Sequence, residues 1–309
     1  MKVLFAGTPH NAAQTLSALC TAGIEVVAVL TRPDAAVGRK RILTPSPVAL
    51  AAEQLALPVI KSNSVDSETL EQISKYKPEL GVVVAYGSLL NQQALDAIAK
   101  GWINLHYSLL PKFRGAAPVQ HAILAGETTT GVTVFQLDSG MDTGDVLMQV
   151  PTQIEPDETS GRLLQRLTSL GISALLECIP SLFAGFSKGV AQKLEFSSLA
   201  PKLNRESARV NWTLDAREIE LKVRAMNPEP MAWTQFGSDT IRIISVRQSL
   251  ASSHESAPGR VIESGGQILV GCKKGSIIQL LELQPAGKLP MDAMAWFRGQ
   301  QSKDQLAFE

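Results

Sequence analysis

The chain has 309 residues, of which 45% are hydrophobic and 19% charged, and its 29 basic residues balance its 29 acidic residues. Such a length and composition predict a globular protein of roughly two domains and exclude collagen-like and low-complexity chains. A net charge of zero excludes a generally basic surface for nucleic acid or anionic lipid, so any such partner has to bind at a local patch.

The cysteines and the N-terminus indicate the compartment. Cys20, Cys178 and Cys272 are odd in number and far apart, which favours buried thiols over a disulfide framework or a zinc site. The opening MKVLFAG shares only its lysine with a signal peptide, and we find no 18-residue apolar run of the kind that spans a membrane. We therefore expect a cytoplasmic protein with neither a metal nor a membrane segment.

The predicted elements of the first half alternate between strands and helices. Strands are expected at 2–7, 24–31, 58–62, 80–87 and 102–108, and helices at 12–23, 47–56, 66–76, 92–101 and 118–127. Two further strands, at 130–138 and 145–154, resemble a hairpin pair. This alternation predicts an α/β fold with a mostly parallel, doubly wound sheet, whose ligand crevice lies at the carboxyl ends of its strands.

The second half has a different texture. A long amphipathic helix is expected over 160–185, and the polar segment after it, which contains Pro201, is typical of a linker. After a helix at 215–226, a small β-barrel is predicted from short strands at 240–248, 259–264, 267–272 and 276–284. The expected division is a first domain over 1–188, a linker over 189–206 and a second domain over 207–309.

Asn104 and His106 are the first candidates for chemistry. They lie two residues apart near the end of a predicted strand, so their side chains leave the same face at the expected crevice. An amide donor beside an imidazole suits acyl transfer, which needs a donor to an oxyanion and a group that moves a proton near neutral pH. Taken alone, the pair is explained equally well by a histidine bonded within the fold.

The segment LDSGMDTGD, residues 137–145, packs three aspartates and two glycines between the hairpin strands. Asp142 is a candidate partner for His106, whose pKa its charge would raise, keeping the imidazole protonated to stabilise an oxyanion. On composition alone, a solvated turn is the commoner interpretation of such a loop.

Two loops near the N-terminus are weaker candidates. Arg39, Lys40 and Arg41 form the densest basic site on this neutral chain, and they suit either plain solvation or a phosphate backbone. Gly7 ends the first strand in a way that suits close approach by a ligand. Because a GxGxxG motif is missing there, a bare strand-to-helix turn is the stronger interpretation.

Several of these segments together resemble one family. FAGTP, VVVAYG, NLHYSLLPKFRGAAPVQ, TGVTVFQLDSGMDTGD, LAPKL and QPAGK occur in the order and at the spacing found in methionyl-tRNA formyltransferases. The Asn-x-His-x-Ser-Leu-Leu-Pro block with its downstream Asp marks the wider class of enzymes that use 10-formyltetrahydrofolate. Positions 10 and 11 depart from the family, which usually has an acidic residue and an aromatic where this chain has His10 and Asn11.

The resemblance implies a fold and a reaction. A Rossmann-like catalytic domain would be followed by an OB-like barrel that binds tRNA. The enzyme, expected to be a monomer without a metal, would pass the formyl group of 10-formyltetrahydrofolate to the α-amino group of methionyl initiator tRNA, giving formylmethionyl-tRNA for translation initiation.

The resemblance also implies roles for individual residues. Asn104 and His106 would polarise the formyl oxygen and stabilise the tetrahedral intermediate, while Asp142 would orient His106 and help to remove the amine proton through water. Contacts to the acceptor end of tRNA are implied for the basic loop of Arg39, Lys40 and Arg41. Contacts to the folate are implied for Val84, Ala85, Tyr86, Gly87, Ser108, Leu109, Leu110, Pro111, Ser139, Gly140 and Met141.

Two alternatives remain open. The same chemistry could act on a small amine, such as an amino sugar nucleotide or glycinamide ribonucleotide, which would not need the basic loop. A non-catalytic folate- or RNA-binding protein is the other alternative, but binding alone gives no reason to place Asn104, His106 and Asp142 together.

Overall fold

The computed structural model describes residues 1–38, 40–249, 257–301 and 303–309, without the side chain of Asp304. The chain divides into two compact units, which are described in turn. Unit 1 comprises Met1–Pro118, Thr129–Gln153 and Leu164–Ala200, and unit 2 comprises Val119–Thr128, Ile154–Leu163 and Pro201–Glu309.

The strands of the first 153 residues form a large sheet and a small hairpin. They are β1 (Lys2–Gly7), β2 (Glu25–Thr31), β3 (Ala35–Val37), β4 (Ile42–Thr44), β5 (Val59–Lys61), β6 (Leu80–Val84), β7 (Trp102–His106), β8 (Thr129–Gln136) and β9 (Val146–Gln153). The seven-stranded sheet has the order β5-β2-β1-β6-β7-β8-β9, and β3 pairs with β4 alone. The first five strands of that order are parallel, whereas β8 and β9 are antiparallel.

Helices connect these strands, and side-chain caps fix where several of them begin. They are α1 (His10–Thr21), α2 (Pro47–Gln54), α3 (Ser67–Ser74), α4 (Gln92–Asp96), α5 (Pro118–Leu124) and α6 (Ser160–Phe183). Asp66 accepts a hydrogen bond from the backbone N–H of Thr69 and so caps the start of α3. Ser46 and Asn91 cap α2 and α4 in the same way.

This arrangement confirms the predicted doubly wound, mostly parallel sheet. The order of the strands reverses between β1 and β6, which is where such sheets open a crevice beyond their carboxyl ends. The strands β6 and β7, which lead to the candidate residues, end earlier than predicted. β6 ends at Val84 because the left-handed backbone of Ala85 (φ 49°) and Gly87 (φ 86°) turns the chain away, and β7 ends at His106. The β3–β4 hairpin was not predicted.

Gly7 is needed for packing within the protein. A Cβ at this position would lie 2.8 Å from the Cβ of Ala12 and 2.9 Å from the carbonyl oxygen of Val84. Its missing side chain therefore lets β1, β6 and α1 approach one another. The close approach that we considered for a ligand is made by the protein's own atoms.

Helix α6 bears on the expectation that the chain has no membrane-spanning segment. It is the one helix in the described part of the chain that is long and apolar enough to cross a membrane by length and composition. Its side chains Leu163, Leu167, Leu175 and Ile179 are fully buried within the protein. The core helix of a globular protein passes the same length test, so α6 is weak evidence for a membrane span.

Unit 2 contains an antiparallel sheet. Its strands are β10 (Trp233–Phe236), β11 (Asp239–Gln248), β12 (Val261–Ser264), β13 (Gln267–Gly271), β14 (Ile277–Pro285) and β15 (Met291–Asp292). The order is β10-β11-β14-β13-β12, with β15 also paired to β14. Helices α7 (Ala216–Met226) and α8 (Ala293–Arg298) accompany the sheet. The capping box of Asp215 and Glu218 fixes the start of α7.

Residues 306–309 lie between the two edge strands of this sheet. On the β12 side, the backbone N–H of Val261 donates to the carbonyl oxygen of Leu306 over 2.9 Å. On the β10 side, the N–H of Glu309 donates to the carbonyl oxygen of Gln235 over 3.0 Å. The two edges are thus bridged, which closes the small barrel that the sequence predicts.

Aromatic side chains fill the core of this barrel. Phe308 is stacked on Trp212, with ring centroids 5.4 Å apart, and it contacts Trp296 and Phe236 at 5.6 Å and 5.9 Å. Trp212, Trp296 and Phe308 are buried. The closing segment is therefore held by a large buried ring as well as by backbone hydrogen bonds.

Candidate active site

The candidate site begins at the carboxyl end of β7. Asn104 pairs with Val83 of β6 and Phe135 of β8, and His106, the last residue of the strand, pairs with Thr133 of β8. Because side chains alternate along a strand, Asn104 and His106 lie on one face. The predicted placement of this pair at the sheet edge is what the structure shows.

His106 is buried and held by contacts on both ring nitrogens. Its side chain is 6% exposed, and Nε2 lies 2.9 Å from the carbonyl oxygen of Phe113. A carbonyl only accepts hydrogen bonds, so Nε2 carries a hydrogen. Nδ1 lies 3.8 Å from Oδ2 of Asp142, so the predicted approach of Asp142 to the imidazole is present.

The charge of His106 differs from the expectation. Burial lowers the pKa of His106, and although the Asp142 charge and the Phe113 hydrogen bond both raise it, the pKa remains below its usual value. Asp142 acts in the predicted direction but is outweighed by the loss of solvation. The lowered pKa favours an uncharged ring at neutral pH, with a bare Nδ1 that can accept a proton, rather than the protonated His106 that we expected.

The loop that carries Asp142 is built by internal hydrogen bonds. Oδ1 of Asp138 accepts from the backbone N–H of Gly140 over 3.0 Å and from the hydroxyl of Thr143 over 2.7 Å. Oδ2 of Asp142 accepts from the N–H of Gly115 over 2.7 Å. Asp142 has a φ of 54°, a left-handed conformation that costs a residue with a side chain about 1 kcal/mol. The bond to Gly115, which belongs to a separate segment, distinguishes this loop from a plain solvated turn.

The side-chain oxygen of Asn104 lacks a partner. Oδ1 is buried and accepts no hydrogen bond within the described ranges. A buried polar atom left without a partner costs stability, commonly about 1–3 kcal/mol. An amide held in this state fits a position where a ligand supplies the missing hydrogen bonds.

The segment Val84, Ala85, Tyr86 and Gly87 lies at the carboxyl end of β6, the strand beside β7. Ala85 and Gly87 are exposed, whereas Tyr86 is buried, with its hydroxyl donating to the carbonyl oxygen of Ser62 over 2.8 Å. Burial raises the pKa of Tyr86 to about 12, so it stays protonated as that donor. The exposed part of the segment is therefore largely backbone, at the positions where the sequence places folate contacts.

Two hydrogen bonds fix the backbone of that segment. The Thr8 hydroxyl donates to the carbonyl oxygen of Tyr86 over 2.8 Å, and Nη1 of Arg32 donates to that of Gly87 over 2.7 Å. Beside Thr8, the unusual Asn11 donates from Nδ2 to the hydroxyl of Tyr107, one residue beyond β7. The first turn of α1 is thus tied to the residue that follows the strand carrying Asn104 and His106.

The turn Ser108, Leu109, Leu110 and Pro111 lies largely inside the protein. The Ser108 hydroxyl donates to the carbonyl oxygen of Lys112 over 2.6 Å, and the Gln149 amide donates to that of Leu110 over 2.7 Å. Ser108 and Leu110 are buried, whereas on the Asp142 loop the candidates Ser139, Gly140 and Met141 are exposed. Folate binding by either segment stays a prediction.

The predicted basic loop is the turn of the β3–β4 hairpin. Lys40 and Arg41 are exposed there, and Arg39 lies outside the described residues. Val37, Ile42 and Leu43 on the two strands also have exposed apolar side chains. The hairpin therefore presents cations and apolar groups together.

The sequence missed residues that hold this site from a distance. Arg114 is 6% exposed, and its Nε and Nη2 donate to Oε1 of Gln192 over 3.2 Å and 2.6 Å. The N–H of Phe113 donates to the hydroxyl of Ser198 over 2.9 Å. These partners are separated by 78 and 85 residues, and Gln192 and Ser198 fall in the segment whose polar composition predicts a linker.

The fold and the site together define a class. A Rossmann-like sheet whose strand ends bring together an amide, an imidazole and a carboxylate is typical of a group-transfer enzyme. Residues 1–179 match the formyl transferase family model, and residues 202–301 match the model of the formyl transferase C-terminal domain. The chain belongs to the formyltransferase family, which confirms the resemblance found in the sequence.

Relatives of known name align with the whole chain. A protein of Renibacterium salmoninarum named methionyl-tRNA formyltransferase is 44% identical over 308 residues, covering 100% of this chain and 99% of the relative. A protein of Arthrobacter sp. strain FB24 with the same name is 43% identical and covers 100% of both chains. The similarity is therefore not confined to one domain.

Solved structures share the fold at lower identity. The N-formyltransferase from Helicobacter canadensis, in complex with folinic acid and dTDP-3-aminofucose, has a TM-score of 0.69 at 19% identity and covers 91% of this chain and 98% of its own. HypX from Aquifex aeolicus, in complex with tetrahydrofolic acid, has a TM-score of 0.66 at 17% identity and covers 96% of this chain and 47% of its own. These similarities confirm the predicted fold class.

Proposed function

We infer that this protein transfers the formyl group of 10-formyltetrahydrofolate to the α-amino group of methionyl initiator tRNA, giving formylmethionyl-tRNA for translation initiation. The observation that carries this inference is the 44% identity, over the whole chain, to a protein named methionyl-tRNA formyltransferase. The convergence of Asn104, His106 and Asp142 supports the same reaction, because each group has a task in formyl transfer.

We assign the steps as follows. The Asn104 NH2 donates to the formyl oxygen and stabilises its negative charge when the amine attacks the formyl carbon. Nδ1 of neutral His106 accepts the proton that the amine loses, and the carboxylate of Asp142 then stabilises the imidazolium. His106 returns the proton to N10 of the folate as the bond between that nitrogen and the formyl carbon breaks. The products are the formylated amine and tetrahydrofolate.

The folate is proposed to lie between two loops beyond the strand ends. The segment 84–87 exposes Ala85 and Gly87, and the segment 139–142 exposes Ser139, Gly140 and Met141. Exposed backbone of this kind suits the edge of a flat heterocycle, which hydrogen bonds to N–H and C=O groups. The turn 108–111 is proposed to support this site by fixing the direction in which β7 ends.

Domain roles follow the division expected from the sequence. We propose that 1–188 carries the chemistry, that 189–206 connects the two parts and that 207–309 contributes to binding tRNA. The enzyme is proposed to act as a monomer in the cytoplasm, where initiator tRNA is charged and used.

One assay tests the proposed function. The protein is incubated with 10-formyltetrahydrofolate and, in separate reactions, with methionyl initiator tRNA, free methionine, an amino sugar nucleotide and glycinamide ribonucleotide. We expect formylation of the methionyl-tRNA at a kcat/KM well above that for any small amine. Formylation of a small amine alone would reject the inference in favour of the small-amine alternative, and no transfer to any acceptor would favour a binding protein.

The basic hairpin is proposed to contact the tRNA backbone. Replacing both Lys40 and Arg41 with alanine should weaken tRNA binding and reduce the slope of log Kd against log salt by about two, roughly one for each lost phosphate contact. Binding is measured by filter retention at several salt concentrations.

A matched variant controls for the change in net charge. Lys75 and Lys77 are exposed lysines at the end of α3. The double variant Lys75→Ala, Lys77→Ala removes the same charge and should keep the wild-type slope. If both double variants shift the slope equally, the hairpin has no specific part in the interface.

A further inference from the structure

Gln192 is bonded to the catalytic loop and to a buried cation at the same time. Its Nε2 donates to the carbonyl oxygens of Asp142 and Gly144, over 2.9 Å and 2.8 Å. Its Oε1 accepts from Nε and Nη2 of Arg114. One side-chain amide thus uses both of its ends, and both partners belong to the surroundings of His106.

The main chain on either side of Gln192 is anchored to the same parts of the structure. Val190 and Val146 exchange backbone hydrogen bonds of 2.9 Å and 2.8 Å next to the Asp142 loop. Further along, Arg114 donates its backbone N–H to the carbonyl oxygen of Ser198 over 2.8 Å and accepts from the N–H of Ala200 over 2.7 Å. The segment 190–200 therefore runs as a strap from the Asp142 loop to the Phe113–Gly115 turn.

These two attachments meet at His106. The Phe113 carbonyl accepts from Nε2 of His106, and Asp142 faces Nδ1 while accepting from the N–H of Gly115. The left-handed backbone at Phe113 (φ 60°) and Asp142 (φ 54°) needs support from outside each loop. Gln192 supplies this support at the Asp142 carbonyl itself.

We propose that Gln192 is a positioning residue for formyl transfer. By bonding the Asp142 loop to Arg114, it holds the carboxylate of Asp142 at the imidazole of His106. This inference rests on the proposed function for its kinetic readout but concerns a residue that the proposed chemistry does not use directly. It gives one side chain of the strap, Gln192, a role in the geometry of the site.

The first test removes both ends of the clamp. Gln192→Met keeps the length of the side chain but has neither the NH2 nor the carbonyl. We expect kcat to fall roughly 10- to 100-fold, since a displacement of about 1 Å in a catalytic group has effects of this size. KM for methionyl-tRNA should change less than about threefold, because the proposed chemistry assigns Gln192 no contact with the substrate. A loss that appears in KM alone would overturn the proposal.

A second variant separates the two ends. Gln192→Glu keeps an acceptor for Arg114 but replaces the NH2 by an oxygen that faces two carbonyl oxygens. The fold should persist while kcat falls as in Gln192→Met. Glu195→Gln, an exposed change three residues away in the same strap, is the matched control and should keep wild-type kcat. Wild-type kcat in Gln192→Glu would overturn the assignment of the donor end, even if Gln192→Met does not fold.

A double-mutant cycle asks whether Gln192 acts through Asp142. In an Asp142→Asn background, Gln192→Met should lower kcat by no more than about twofold, because the carboxylate that it positions is gone. A merely structural role predicts the full Gln192→Met effect in both backgrounds. Equal effects in both backgrounds would reject the proposal.

An NMR titration of His106 tests the proposal without any acceptor substrate. The imidazole signals of His106 are identified by their loss in His106→Asn. Because Asp142 raises the pKa of His106, Gln192→Met should lower that pKa further. An unchanged pKa would overturn the positioning role. If the wild-type protein fails to formylate methionyl-tRNA, the proposed function fails, while this titration still decides the role of Gln192.

Discussion

Replacing Asn104 with alanine is expected to lower kcat about 100- to 1000-fold, the usual cost of removing one donor to a developing oxyanion. The loss should appear in kcat because the hydrogen bond strengthens as charge builds on the formyl oxygen. Single-turnover formylation of methionyl-tRNA, measured with saturating folate, reports this step directly. Near-normal turnover in Asn104→Ala would reject the assigned donor.

Although Asn104→Ala should lose activity, we expect no loss of thermal stability. Oδ1 of Asn104 is buried without a partner in the described residues, so its removal relieves a desolvation cost. The melting temperature of Asn104→Ala should equal or exceed that of the wild type. Asn63→Ala, the same substitution at an exposed position, should change neither kcat nor the melting temperature. A destabilised Asn104→Ala would mean that the amide has a structural role.

Replacing His106 with asparagine is expected to lower kcat/KM about 100- to 10,000-fold, which is the range for loss of a general acid or base. The wild-type profile should also show which form is active. Burial lowers the pKa of His106 below 6.5, so the neutral base is present at pH 7 and is lost as the pH falls through that lowered pKa. We therefore expect an inflection below pH 6.5 that is absent in His106→Asn.

Profiles for this comparison are measured with one acceptor between pH 5 and pH 8, so that ionisation of the substrate amine is common to both proteins. His121→Asn is the matched control, because His121 bonds to the carbonyl oxygen of Pro201 and has no part in the proposed chemistry. It should keep the wild-type profile. A wild-type rate that rises on acidification through the His106 pKa would show that the protonated ring is the active form.

Much of the fold and the central pair could be predicted because their causes are local. The alternation of apolar runs and amphipathic stretches gives the parallel sheet, and the period of two along β7 places Asn104 and His106 on one face at its end. Asp142 was only a candidate partner until the family resemblance supported it, since nothing in its own loop relates it to a strand 36 residues earlier. The β3–β4 hairpin escaped prediction because each of its strands has only three residues.

Two features of the site could not be predicted, for physical reasons. The pKa of His106 depends on how completely the ring is buried, and the sequence shows its candidate partner Asp142 but not the extent of desolvation. Gln192 bonds to Arg114 and to the carbonyl oxygen of Asp142, which lie 78 and 50 residues away in the sequence. The second bond cannot be read from residue types, because every residue has a backbone carbonyl. A polar segment that packs through such bonds has the same composition as an exposed linker, so its sequence does not show that it packs.

The bridging of both barrel edges by residues 306–309 has a consequence for the order of folding. A chain emerging from the ribosome can complete a unit only when its last required segment has left the exit tunnel. Unit 1 requires the chain up to Ala200, which includes Gln192, whereas the barrel waits for Glu309. During synthesis the loops around His106 can thus become ordered while β10 and β12 still have open edges. This interval is when the nascent chain is most exposed to mispairing with another strand.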